Sequence, residues 1–241
     1  MQNRTENRVL AELPPADAAL LAPCLHPVGV IPGPTQQPEF PSDCVYFPDE
    51  GQISALALTS DGETIEIASA GREGCLGPIF PSDLHDGLLV ALGPLRAFQV
   101  PVARLQPILA QSEALSQALA ACREALLLQV RQNLVCGGLH PVERRLPRWL
   151  IETADRLESD VIPATQETVA QRLGVRRTTV TLLASKLQEI GAIHWGRSRV
   201  EILDRARLES ETCTCQRMLR ARVSARPATQ LTVARRTSFG T

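Results

Sequence analysis

The longest regular pattern of hydrophobic and polar positions covers residues 111–136. This segment has no proline or glycine and is rich in residues that favour helices, so it predicts one long α-helix. Six positions alternate in steps of four and three residues: Leu115, Leu119, Cys122, Leu126, Gln129 and Asn133. That spacing is typical of a helix packed along another helix. We predict that this face joins two subunits; burial within one chain would give the same pattern.

The same helix carries a second apolar stripe, formed by Leu127, Val130 and Leu134. A helix with two such faces can contact its own domain on one side and a partner subunit on the other. Gly137–Gly138 is predicted to break the helix, and Pro141 follows, so we expect a hinge near 137–141. The expected units are a sheet domain at 1–110, the long helix at 111–138, a C-terminal domain at 139–208 and a tail at 209–241.

The pattern changes over residues 23–104, where short apolar stretches lie between recurring prolines and glycines. Two of these stretches, 53–58 and 64–69, flank Ser60-Asp61-Gly62, which is typical of a hairpin turn. Strands at this spacing predict an antiparallel β-roll or barrel. Together with the helical segments, they give an α+β fold class.

The stretch 165–193 has the spacing of a helix-turn-helix, and 144–157 predicts an amphipathic helix before it. Thr165 is a candidate N-cap for a first helix over Gln166–Leu173, and Gly174 lies where the turn requires a residue without a side chain. After Gly191, polar and apolar residues alternate around a turn at 196–198, which predicts a two-stranded wing.

In this motif the N-terminal end of the second helix enters the major groove of DNA. An arginine at that end, such as Arg177, can make a bidentate contact with guanine, and the threonines can touch thymine methyl groups or phosphates. The predicted DNA-contacting residues are Thr165, Gln166, Arg176, Arg177, Thr178, Thr179, Thr181, Lys186, Arg197, Ser198 and Arg199.

The distribution of charge supports a polyanionic partner for the second half of the chain. Residues 1–140 contain 7 Arg and 15 Asp or Glu, a net charge of −8, whereas residues 141–241 contain 18 Arg or Lys and 11 Asp or Glu, a net charge of +7. An enzyme is not predicted, because the chain has no nucleotide-binding glycine loop and no HExxH or GxSxG pattern. The alternative that remains is a ligand-binding module that regulates a protein partner.

These features together resemble the Crp/Fnr family of bacterial transcription regulators. The match is most specific over 143–203, and residues 45–77 resemble the sensor β-roll of one branch of that family. The resemblance implies a winged helix-turn-helix, a cyclic-nucleotide-binding-like β-roll, a homodimer, double-stranded DNA as partner and contact with RNA polymerase as a route to activation. It places Arg177 at the guanine-reading position, whereas Thr178 and Leu182 replace a frequent glutamate and arginine.

The cofactors known in that family are not expected here. Residues 71–98 have no glutamate beside Leu76 and no Arg-Ser pair, the residues that hold a cyclic nucleotide in that family. Arg72 and Glu73 are therefore expected in an ordinary exposed turn. The grouped N-terminal cysteines of iron–sulfur members are also missing. Weaker candidates are His26 and His85 as haem ligands, Cys24 and Cys75 as redox thiols, and Cys213 with Cys215 as a redox or metal pair that is too small for zinc alone. We predict no cofactor and no metal.

The remaining features concern location and the tail. Seven scattered cysteines do not form a secreted disulfide pattern, no apolar run reaches about 18–20 residues, and the first 15 residues lack a signal-peptide core. A cytoplasmic protein is therefore expected. The arginine-rich residues 216–241 are predicted to be disordered and to add non-specific attraction to DNA.

Overall fold

A computed structural model describes residues 5–31, 38–78 and 87–215. The predictions for His85 and for the tail at 216–241 lie outside these described residues. The N-terminal half contains α1 (Arg8–Ala11), α2 (Pro15–Leu21), a 3-10 turn (Ala22–Cys24), β1 (His26–Val30), β2 (Glu39–Phe40), β3 (Cys44–Leu58), β4 (Thr64–Ala70), β5 (Leu88–Pro101) and α3 (Val102–Leu109). The rest contains α4 (Glu113–Leu139), α5 (Val142–Leu157), β6 (Val161–Ile162), α6 (Gln166–Leu173), α7 (Arg177–Glu189), β7 (Ile193–Trp195), β8 (Val200–Ile202) and α8 (Arg205–Ser210).

The predicted antiparallel β-domain is confirmed. Its strands follow the order β1-β5-β3-β4, and β2 also pairs with β5. Breaks in register between β3 and β5 lie near Pro48 and Gln52, where irregular pairing lets these long strands bend. Alternate side chains of β3 enter two cores: Val45 packs with the helices, and Tyr46 packs on the opposite side of the sheet.

The long helix α4 is present and ends within one residue of the predicted unit 111–138, but the glycine pair does not break it. Ser112 caps it by accepting a hydrogen bond from Leu115 N at 3.0 Å, and the helix continues through Gly137 and Gly138 to Leu139. The prediction of a break at the glycine pair is therefore wrong. Each glycine costs only about 1 kcal/mol relative to alanine, which a 27-residue helix can absorb. The helix ends at His140, which is extended because the residue before a proline is disfavoured in the helical region.

The face of α4 that was predicted to join two subunits packs within the chain. Leu115 and Leu119 are fully buried in the core of the β-domain, and Cys122 and Leu126 pack against that core. Further along, the Gln129 side chain and the Ser69 backbone exchange two hydrogen bonds of 3.1 Å, and Asn133 donates to the carbonyl of Ile67 at 3.0 Å. The assignment of these residues to a subunit interface is corrected, because periodicity identifies an apolar face but not what covers it.

Two of the exposed apolar side chains of α4 belong to the other stripe. Leu127 is 46% exposed and Leu134 is 77% exposed, and Val135 and Leu139 near the end of the helix are also exposed. Large exposed aliphatic side chains repeated along one helix are unfavourable in water, so this stripe is the part of α4 available to another surface. No helix of the described residues is long and apolar enough to cross a bilayer.

The C-terminal domain has a separate hydrophobic core, which Leu92 of β5 also enters. Helices α5, α6 and α7 and the three-stranded sheet β6-β8-β7 contribute to it, and Leu208 of α8 completes it. The first helix of the predicted helix-turn-helix has the predicted bounds, and the wing strands β7 and β8 pair antiparallel, with Ile193 opposite Ile202.

This C-terminal domain is docked on the β-domain through charged side chains. Glu66 of β4 is 3.7 Å from the buried guanidinium of Arg172, and it accepts a hydrogen bond from Trp149 Nε1 at 3.2 Å. Arg72 pairs with Glu158 at 3.0 Å, and Glu73 pairs with Arg156 at 3.3 Å. The exposed turn that we predicted for Arg72 and Glu73 is therefore part of a domain interface.

We predict that Glu66→Gln lowers the free energy of unfolding by about 3 kcal/mol, because it removes the carboxylate that faces a buried arginine. The matched control is Glu50→Gln, which breaks an exposed pair with Arg96 and costs less than about 1 kcal/mol. Urea unfolding followed by circular dichroism measures both. Equal losses in the two variants would contradict a special role for the buried pair.

Candidate nucleic-acid interface

The first helix of the motif, α6, is held at both ends by local chemistry. Thr165 lies outside the helix and its Oγ1 accepts a hydrogen bond from Thr168 N at 3.0 Å, as predicted for an N-cap. At the other end Gly174 has φ 62°, the left-handed conformation that glycine adopts without strain. Val169 and Ala170 are buried between the helices, so the small residue lies where α6 and α7 approach each other.

The second helix, α7, divides cleanly into a buried side and an exposed side. Four residues at helical spacing face the core: Val180, Leu183, Ala184 and Leu187. On the other side, the predicted residues Arg176, Arg177, Thr178, Thr181 and Lys186 are exposed, and Thr179 is half-buried. Arg177 is the first residue of the helix, so its side chain lies at the end that carries the unpaired N–H groups and the positive end of the helix dipole.

A polar contact joins the exposed surfaces of α6 and α7. Thr181 Oγ1 donates to Gln166 Oε1 at 2.6 Å and also lies 3.1 Å from the carbonyl oxygen of Arg177. One turn later Ser185 is exposed on the same helix and donates to the carbonyl of Thr181. Ser185 was absent from the predicted set, although its spacing of four residues from Thr181 places it on the same side.

The wing lies next to α7 and is tied to it. The backbone N–H of Trp195 donates to Gln188 Oε1 at 2.9 Å, and Gly196 N donates to the carbonyl of Arg199 across the turn. Arg197 and Arg199 are exposed at this turn, and Ser198 is half-buried. The strand pairing of Trp195 with Val200 therefore presents both arginines at the tip of a rigid hairpin.

The basic side chains of this surface differ from those elsewhere in the domain. Arg205, Arg207 and Arg144 are engaged in ion pairs with acidic neighbours. In the described part of the chain, the structure shows no ion pair for the five candidates on the surface: Arg176, Arg177, Lys186, Arg197 and Arg199. Positive charge without an acidic neighbour is what a phosphate backbone requires.

Comparison with known proteins identifies this domain. Residues 144–211 match the family of Crp-like helix-turn-helix domains. This part of the chain is a Crp-like helix-turn-helix domain. The match confirms, for this domain, the helix-turn-helix predicted from the sequence, and it supports the prediction of a DNA-binding regulator of transcription. No curated protein matches the chain.

Solved structures extend the likeness from the Crp-like domain to the whole fold. A transcriptional regulator of the Crp/Fnr family from Eubacterium rectale is 18% identical with a TM-score of 0.66, and 87% of this chain and 98% of that chain are covered. FixK2 from Bradyrhizobium japonicum is 17% identical with a TM-score of 0.65, covering 79% and 98%. The regulator CLP of Xanthomonas campestris, described as responsive to c-di-GMP, is 17% identical with a TM-score of 0.62, covering 78% and 98%. The predicted fold is confirmed.

A second group of reactive side chains lies where the end of α4 meets the C-terminal end of the Crp-like domain. Cys136 and His140, at the end of α4, meet Cys213 and Cys215, which follow α8. Burial raises the pKa of the Cys136 thiol to about 12. Only Cys213 and Cys215 were predicted from the sequence, as a pair. Cys136 and His140 are four residues apart on either side of the end of α4, and this short spacing of two ligand types is the signal that could have completed the set.

We predict that Thr165→Ala lowers the free energy of unfolding by about 1 kcal/mol, because the first turn of α6 loses its capping oxygen. Thr178→Ala is the control, since Thr178 is exposed on α7 and is expected to change stability by less than about 0.5 kcal/mol. Thermal unfolding of both variants tests the cap; a loss in Thr178→Ala as large as that in Thr165→Ala would refute it.

Proposed function

We propose that this chain is a sequence-specific transcription regulator that binds a two-fold symmetric DNA site as a homodimer. The observation that carries the proposal is the exposed side of α7, where arginine and threonine side chains without acidic partners lie at the N-terminal end of the second helix of a Crp-like domain. In this motif that end enters the major groove. Because such a protein acts on chromosomal DNA, we place it in the cytoplasm.

Within this proposal, Arg177 reads a base and the surrounding residues position the helix. A guanidinium at the start of α7 suits a bidentate contact with guanine O6 and N7. Thr178 and the exposed Leu182 can pack on thymine methyl groups. The other candidates are proposed to hold phosphate oxygens on either side of the groove: Thr165, Gln166, Arg176, Thr179, Thr181, Lys186, Arg197, Ser198 and Arg199.

The subunits are proposed to meet through the exposed stripe of α4. Leu127, Val130 and Leu134 recur at helical spacing, and Leu134 is 77% exposed in the single chain. A second copy of the same helix can cover this stripe with its own, so that both apolar surfaces are buried together, as in a two-stranded coiled coil. Two Crp-like domains would then face half-sites about 34 Å apart.

The β-domain is proposed to report a signal to the DNA-binding domain, with RNA polymerase as the downstream partner for activation. The support is the direct contact between the two units, in which Arg72 and Glu73 pair with Glu158 and Arg156. In the described β-domain, Arg72 pairs with Glu158 and Arg96 pairs with Glu50, so both guanidinium groups already face carboxylates, which supports a signal other than a cyclic nucleotide.

We predict that Arg177→Ala loses about 1–3 kcal/mol of discrimination at one base position of each half-site. The control, Lys186→Ala, removes an exposed charge further along α7 and should weaken binding to all sequences alike. Selection of random duplexes in a gel-shift assay, followed by sequencing, measures both. Wild type should enrich a symmetric site. Unchanged enrichment in Arg177→Ala would remove Arg177 as a base-reading residue.

We predict that Leu134→Glu converts the dimer to monomers, because it places two charges where the apolar stripes meet. Leu58→Glu is the matched control, since Leu58 is 51% exposed at the end of β3, away from α4. Sedimentation velocity at micromolar concentration distinguishes the species. If Leu134→Glu and wild type sediment alike as dimers, the stripe is not the interface; if wild type itself is monomeric, the homodimer is wrong.

A further inference from the structure

Four metal-ligating side chains come together where the long helix meets the end of the Crp-like domain. Cys136 lies on the last turn of α4, His140 follows directly after that helix, and Cys213 and Cys215 lie just beyond α8. All four ligand atoms lie within 4.8 Å of one another, and the three cysteines are buried. The pairs are separated by more than 70 positions in the sequence, so only the fold brings them together.

The distances within this cluster suit a tetrahedral ion. Cys136 Sγ lies 3.2 Å from Cys213 Sγ and 3.4 Å from His140 Nδ1, and Cys215 Sγ lies 3.5 Å from the same nitrogen. A tetrahedral Zn²⁺ with bonds of about 2.3 Å to sulfur and about 2.0 Å to nitrogen sets sulfur and nitrogen about 3.5 Å apart and two sulfurs about 3.8 Å apart. The two sulfur–nitrogen distances match this value, and the Cys136–Cys213 distance is about 0.6 Å shorter but far longer than the ~2.05 Å of a disulfide.

The surroundings of the cluster match the charge that such a site would carry. One Zn²⁺ with three thiolates and a neutral imidazole has a net charge of −1. Arg145 and Arg148 both lie close enough to Cys136 to interact electrostatically with its sulfur. A buried negative complex is stabilised by the neighbouring guanidinium groups of Arg148, which is buried, and Arg145, which is half-buried.

We propose that Cys136, His140, Cys213 and Cys215 form a structural Zn²⁺ site. Three soft sulfur ligands and one imidazole nitrogen in a tetrahedron favour zinc over magnesium, calcium or manganese, and four protein ligands leave no open position for catalysis. The ion binds through His140 Nδ1 and displaces the protons of the three thiols, so no oxidant or reductant takes part. This proposal replaces the prediction that the chain binds no metal, and it adds Cys136 and His140 to the CxC pair, which alone is too small for zinc.

The position of the site gives the ion a mechanical role. His140 is the residue at which α4 ends, and Cys213 and Cys215 belong to the far end of the Crp-like domain. The ion would therefore cross-link the two sides of the hinge and fix the direction in which the DNA-binding surface leaves α4. This consequence for DNA rests on the proposed function, whereas the metal site itself does not.

The test measures metal in the full chain, purified without an affinity tag or chelator and in the presence of a reductant. Inductively coupled plasma mass spectrometry should find about one zinc per chain in wild type, and the ratio should fall at least roughly fivefold in Cys213→Ser. Cys24→Ser is the matched control, because Cys24 lies on the β-domain, and it should keep its zinc. His140→Cys should also keep zinc, since a fourth thiolate replaces the imidazole.

A second measurement protects the test against a variant that does not fold. Wild type stripped of zinc and reloaded with Co²⁺ should show the visible bands of tetrahedral cobalt and a near-ultraviolet thiolate-to-cobalt band. Absence of those bands, or equal zinc in Cys213→Ser and Cys24→Ser, overturns the site. A Cys136–Cys213 disulfide in the freshly purified chain, found by mass spectrometry of unreduced peptides, or visible absorption from an iron–sulfur cluster, overturns it too.

The link to DNA is tested separately with the same proteins. Removal of zinc should weaken binding of the selected duplex at least roughly tenfold in wild type, because the two domains lose their fixed orientation. Zinc at one ion per chain with no duplex binding at all would refute the proposed function and leave the metal site standing. An equal affinity for the duplex with and without zinc would refute the mechanical role.

Discussion

The carboxylate of Glu66 constrains how the two halves of this protein fit together. It is buried at the junction of the β-domain and the Crp-like domain, where it faces Arg172 and accepts a hydrogen bond from Trp149. A buried charge is tolerable only when opposite charge and donors surround it. Those partners come from α5 and α6, so the Glu66 carboxylate gains a donor and an opposite charge only when the Crp-like domain is docked. The orientation of the DNA-binding surface is thus coupled to the strand that carries Glu66.

Helix α4 shows which parts of the fold the sequence can predict. Its existence and its two apolar stripes follow from composition and spacing, because a helix of this length without proline has few alternatives. What covers each stripe is a tertiary property. Gln129 and Asn133 have the spacing of a subunit seam, yet their amides meet backbone groups of β4, a strand about sixty residues earlier. The glycine pair was predicted to break the helix, but the helix continues through it to Leu139 and ends just before Pro141, since two glycines cost only a little stability.

The candidate DNA surface was predictable almost residue by residue, because a helix-turn-helix is a local motif. The cap at Thr165, the turn at Gly174 and the exposed side of α7 all lie within thirty residues and obey helical geometry. The cysteine–histidine cluster was not predictable in the same way. Its two halves lie at distant places in the chain, and only the packing of α5 and α8 beside the end of α4 brings them together.

The glycine pair inside the last turn of α4 has a consequence for how the DNA-binding heads are aimed. Glycine makes this turn the cheapest part of the helix to unwind, by about 1 kcal/mol per residue. Each residue that leaves an α-helix shortens the helix by about 1.5 Å and removes about 100° of its rotation, so the direction of the next domain changes. A small energetic input at this point therefore both rotates and moves the DNA-binding domain. Cys136 and His140 lie on either side of the glycine pair, so an ion bound to both would hold this turn in one conformation.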